Sequence, residues 1–72
     1  MHTPNTTPFV KYVMHEIKGF TAVVQEEVYG EWTALVLDPE GNIFTKETGF
    51  NFEPAAREAS ERQSKSLRYH LS

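Results

Sequence analysis

Asp38-Pro39-Glu40-Gly41-Asn42 is a chain reversal whatever surrounds it. Proline presets the second position of a tight turn, and glycine supplies a positive φ near its end. The segments on either side are rich in β-branched and aromatic residues. From Glu31 to Leu37, Trp32, Ala34 and Val36 share one face and Thr33, Leu35 and Leu37 the other. A short run from Ile43 to Glu47 follows the turn. Before it, Phe20 to Val28 carries Val23, Val24 and Val28, and Tyr29-Gly30 supplies another reversal. Strands over 20–28, 31–37 and 43–47, neighbours in sequence and joined by short turns, predict an antiparallel meander.

The flanks read as helices. Residues 1–6 form a polar lead-in. Thr7 can cap a helix and Pro8 suits its first position. Phe9, Val10, Val13, Met14 and Ile17 follow at helical spacing, and Gly19 can end the helix in the left-handed conformation, so the spacing predicts a helix over 8–18. Pro54 opens a second helix over 54–68, with a stripe of Ala56, Ala59, Gln63 and Leu67 and i,i+4 ion pairs such as Arg57–Glu61. The expected architecture is one α+β domain, residues 1–72, with a three-stranded antiparallel meander flanked by two helices.

Size and composition exclude much. A 72-residue chain has little space for a closed substrate cavity. It has no cysteine, so disulfides, thiol nucleophiles and cysteine-based zinc sites are out. The cytoplasm is the expected location, because small secreted domains usually need such cross-links. No apolar run approaches the about 20 residues that span a bilayer, so no membrane partner is expected. His2, His15 and His70 lack the spacing of a helical metal site, and Ser60, Ser64, Ser66 and Ser72 lie in no glycine-flanked elbow. No enzyme activity, metal or cofactor is expected.

Charge and aromatics mark the candidate binding residues. The net charge is −3. The middle of the chain is acidic and the C-terminal part basic, a polarity that bears on association rather than fold. Glu26, Glu27, Glu31, Asp38 and Glu40, with Tyr29 and Trp32 as aromatic anchors, form the candidate protein-binding set. Arg57, Arg62, Lys65 and Arg68 form the alternative, nucleic-acid-binding set. The strands are apolar on both faces, more than a meander covered on one side needs. Either both faces are covered or one meets a partner, and a homodimer would satisfy that.

Two resemblances bear on the reading. The order helix–strand–strand–strand–helix over 8–70 looks like the double-stranded RNA-binding domain. The start of the second helix, Phe52-Glu53-Pro54-Ala55-Ala56-Arg57, lacks that family's lysine cluster, and Val28-Tyr29-Gly30-Glu31 lacks its Pro-His element. Pro8-Phe9, Val36-Leu37-Asp38-Pro39-Glu40-Gly41 and Asn51-Phe52-Glu53-Pro54 resemble the YkfF-like family of small plasmid and prophage proteins. That resemblance implies an αβββα fold and a mobile-element origin, with no assigned activity. The expected function is a non-enzymatic protein-binding module of phage, prophage or plasmid origin, for instance an inhibitor of a host defence or regulatory complex. A nucleic-acid-binding module acting through the basic second helix is the alternative.

Overall fold

The computed structural model describes residues 10–72. Over them the chain forms strands β1 (Val10–Ile17), β2 (Phe20–Val28), β3 (Glu31–Leu37) and β4 (Ile43–Phe50), then helix α1 (Glu53–Leu71). The strands form one antiparallel sheet in the order β1-β2-β3-β4. The lead-in 1–6, the cap Thr7-Pro8 and Phe9 lie outside the described residues.

The architecture corrects the expected one. Four strands and one C-terminal helix replace three strands between two helices, so neither the αβββα order nor the likeness to the RNA-binding domain holds. The error lies in β1, read as a helix. Val10, Val13, Ile17 and Tyr12 are all strand formers, and pairing with β2 sets the conformation. A register shift between Val13 and His15 inserts Met14 as a bulge. A bulge adds one residue and interrupts the two-residue alternation. Val10, Tyr12, Met14, His15 and Ile17 thereby reach one side of the sheet, while Lys11, Val13 and Glu16 take the other. That interrupted pattern imitates a helical one.

Gly19 serves both readings. It is not a helix end but the second residue of a two-residue hairpin loop, between the paired Ile17 and Phe20. Lys18 has φ 51° and Gly19 φ 88°, the double positive φ of a type I′ turn. A Cβ on Gly19 would also meet Pro39 Cγ at 3.1 Å, so the β1–β2 and β3–β4 turns touch at this end of the sheet.

Helix α1 lies over the central strands. Its buried face is Ala56, Ala59, Ser60, Gln63, Ser64 and Leu67. Towards the start of the helix, Ala56 and Ala59 pack on Val24 and Ala34, with Met14, Trp32 and Phe50 around them. Towards its end, Leu67 packs on Ala22 and Val36, with Met14, Ile17, Phe20 and Leu71 around them. The residues that meet are small on both sides, so the helix sits close to the sheet.

The opposite face of the sheet is less bare than its missing helix suggests. Val23, Thr33 and Leu35 are buried there. Glu27 on β2 and Lys46 on β4 are 3.6 Å apart, so this ion pair reaches across β3. Exposed apolar surface on this face is concentrated at Val13 and Ile43, on the two edge strands.

The hairpin geometry makes a prediction. A left-handed φ strains lysine, and asparagine tolerates it better. Lys18→Asn is expected to raise stability by about 0.5–1 kcal/mol. Gly19→Ala is expected to lower it by more than that, since it is strained and also presses on Pro39. Urea denaturation of both variants beside the parent checks the pair.

Candidate functional site

The end of the sheet built from the β2–β3 hairpin, the start of β1 and the start of α1 carries three well-exposed apolar residues, Val28, Tyr29 and Phe52, while Tyr69, Ile43, Phe44 and Val13 are exposed elsewhere. The hairpin turns at Tyr29-Gly30, and Gly30 takes φ 79°. Its amide donates to Glu26 Oε2 at 2.7 Å, which closes the loop. A register shift between Glu26 and Val28 twists the tip and turns its side chains out. Val28 is 58% exposed and Tyr29 85%. Phe52, just before the helix, is 59% exposed. It occupies the N-cap position with extended backbone and makes no side-chain capping bond.

Beneath these residues lies a packed stack. Tyr12 and Trp32 face each other with ring centroids 6.3 Å apart and planes 6° from parallel. The Arg57 guanidinium sits 4.9 Å from the Tyr12 centroid, and its Nε donates to Glu53 one turn earlier. Arg57 also reaches Met14 Sδ at 3.6 Å. Trp32 packs on the core cluster opposite Phe50. The stack therefore clasps the start of α1 to β1 and β3, and Trp32 is a packing residue more than an exposed anchor.

The acidic candidates do not form one face. Glu26, Glu27 and Glu31 belong to the hairpin end, and Asp38 and Glu40 to the β3–β4 turn at the opposite end of β3. Two carboxylates of the hairpin end are engaged. Glu26 holds the Gly30 amide, and Glu27 accepts from Gln25 Nε2 at 2.7 Å beside Lys46. Glu31 is exposed. Asp38 works within its own turn: Oδ1 accepts from the amides of Glu40 at 3.0 Å and Asn42 at 2.9 Å. Asp38 and Glu40 thus separate from the other candidates, and turn formation accounts for Asp38.

The basic candidates are divided as well. Arg57 is held by Glu53 and Tyr12 on the β1 side of the helix. Arg62 pairs with Glu47 at 3.2 Å on the β4 side. Lys65 and Arg68 have no carboxylate within 4 Å among the described residues. Arg68 approaches His15 Nδ1 at 3.5 Å, while His15 Nε2 lies 3.0 Å from Glu61 Oε2. The tautomer with its proton on Nε2 satisfies both contacts, donating to Glu61 and accepting from Arg68. Two of the four expected nucleic-acid contacts are therefore structural links.

Sequence reasoning missed Val28, Phe52 and Tyr12 at the hairpin end. The available signal was Pro54. Pro54 marks a helix start, and with the helix beginning at Glu53 it leaves Phe52 as the N-cap, outside the helix. Among the described residues no three His, Asp or Glu side chains are placed to hold a metal ion, and no helix is long and apolar enough to cross a membrane. No family model, curated protein or solved structure matches the chain.

The clasp predicts its own cost. Tyr12→Ala removes a stacked ring and the seat of Arg57, and is expected to cost about 1–3 kcal/mol. Glu31→Ala is expected to stay within about 0.5 kcal/mol. Chemical denaturation, with tryptophan fluorescence from Trp32 as the readout, distinguishes the two.

Proposed function

We propose that this chain is a protein-binding module that meets its partner through the hairpin end of the sheet. The observation that carries the proposal is the grouping there of exposed Val28, Tyr29 and Phe52 above the Tyr12–Trp32 stack. Tyrosine and phenylalanine on a rigid support are favoured contact residues, since they bury large area with few rotatable bonds. The Tyr12–Trp32 stack makes the same end of the sheet rigid. Glu26 and Glu31 make the rim acidic, Glu27 being paired with Lys46 on the far face of the sheet, so the fitting partner surface is apolar at its centre and basic around it. Asp38 and Glu40, at the far end of β3, have no part in this reading.

The basic helix supports the nucleic-acid reading less well. Arg57 and Arg62 are held in ion pairs with Glu53 and Glu47, which leaves Lys65 and Arg68 as the cations of that set with no carboxylate partner among the described residues. Phosphate binding scales with the number of charges neutralised, and two give little.

The experiment is a comparison of surfaces. The parent chain, a Tyr29→Ala/Phe52→Ala variant and a Lys65→Ala/Arg68→Ala variant are each immobilised and exposed to a lysate of the source cell, treated with nuclease or untreated. A stoichiometric protein is expected to be retained by the parent and the helix variant and lost with the hairpin variant, whatever the nuclease treatment. Retention abolished by nuclease, or lost with the helix variant alone, would transfer the function to α1.

A further inference from the structure

We infer that the partner presents an arginine side chain to Trp32 and Glu26; the inference rests on the hairpin end being the binding surface and names a contact made there. Its starting point is the last row of the sheet before the β2–β3 turn. That row runs Val10, Glu26, Trp32, Phe50, each paired with the next across the four strands. Paired residues share a face, here the face that carries α1. Three of the four are apolar, and the one carboxylate stands between Val10 and Trp32. α1 packs on the next row inward, at Val24 and Ala34. The outer row is therefore only partly covered, and all four residues keep some accessible surface.

The Glu26 carboxylate is half used. Oε2 accepts from the Gly30 amide at 2.7 Å, and closing the hairpin accounts for that oxygen. Oε1 has no donor among the described residues, and none of their basic side chains pairs with Glu26. The amide bond leaves the negative charge in place. A half-buried charge beside apolar neighbours is complemented by a cation brought to it from a partner.

The chain builds the full arrangement once within itself. Arg57 sits 4.9 Å from the Tyr12 ring centroid and pairs with Glu53, so a cation, a ring and a carboxylate are joined. Trp32 and Glu26 supply the ring and the carboxylate without the cation. Paired residues on one face hold their Cβ atoms about 5 Å apart, so a guanidinium laid on the indole brings an N–H edge to Glu26. Arginine suits this better than lysine. Its planar group stacks and donates at once, and it gives up water more readily than an ammonium. Val28, Tyr29 and Phe52 then supply the apolar contacts around it.

Nα-acetylarginine amide is the probe, with Nα-acetylcitrulline amide as its uncharged match. Each is titrated into the full ¹⁵N-labelled chain. Binding is read from the fluorescence of Trp32, the only tryptophan, and from the Trp32 indole N–H and Gly30 amide signals. Saturable changes centred on these groups are expected for the arginine probe, with the citrulline probe weaker by about threefold to tenfold. Glu26→Gln keeps an oxygen for the Gly30 amide and removes the charge, and is expected to weaken the arginine probe by a similar factor. Equal binding of citrulline, unchanged affinity in Glu26→Gln, or changes centred elsewhere would overturn the inference. The same variant joins the lysate comparison. A partner weakened both by Glu26→Gln and by Tyr29→Ala/Phe52→Ala supports the arginine contact. A partner lost with the double variant but held at parent strength by Glu26→Gln overturns that contact alone. A partner held by both overturns the reading beneath it.

Discussion

The close seat of α1 on β2 and β3 is the contact on which the rest of this fold depends. Ala56, Ala59 and Ser60 on the helix and Ala22 and Ala34 on the sheet are essentially inaccessible to water. None has a side chain long enough to hold the layers apart. A chain this small buries little apolar area, so its stability relies on tight packing rather than on a large core. The same economy explains why Ser60 and Ser64 sit in the interface with hydroxyls that have no partner among the described residues. A larger apolar side chain at either position would push the helix away, and leaving a hydroxyl unpaired costs less than losing the contact along the whole helix.

From that seat the two surface features follow. Where α1 begins, Glu53, Arg57, Tyr12 and Trp32 are layered in turn, and the aromatic end of the sheet acquires a rigid base. Where α1 passes β4, a groove lies between them beside Phe44 and Thr45, and Gln63 donates to the Ala34 carbonyl of β3. The first feature faces outward and suits a macromolecular surface. The second is recessed between the helix and an edge strand.

Much of the middle of the chain is legible from its residues. Phe20–Val28 and Glu31–Leu37 form strands over the expected ranges, and the reversal at Asp38-Pro39-Glu40-Gly41-Asn42 lies between β3 and β4 as its chemistry requires. The second helix is also formed, longer at both ends than its small-residue stripe indicates. β1 was hidden by its bulge: Met14 and His15 both reach the helix side, and the two-residue period disappears. Gly19 deepened the error, because a helix end and a type I′ hairpin ask for the same positive φ. β4 extends to Phe50 through a glycine and a register shift, features that read as a loop. At the site, sequence separation misled. Asp38 and Glu40 follow Glu31 closely along the chain, yet a strand carries them to the other end of the sheet. Trp32 looked like an exposed anchor, and the stack with Tyr12 needed β1 to be a strand before it could be seen.

The close seat of the helix is most directly tested by adding volume to it. Ala59→Leu inserts three carbons where Ala59 has no accessible surface, while Glu58→Leu makes a side chain of the same size on the exposed side of the same turn. Urea denaturation should show Ala59→Leu less stable than the parent by about 1–3 kcal/mol, with Glu58→Leu within about 0.5 kcal/mol. Equal stability of Ala59→Leu and the parent would show that α1 does not lie against β2 and β3 as described.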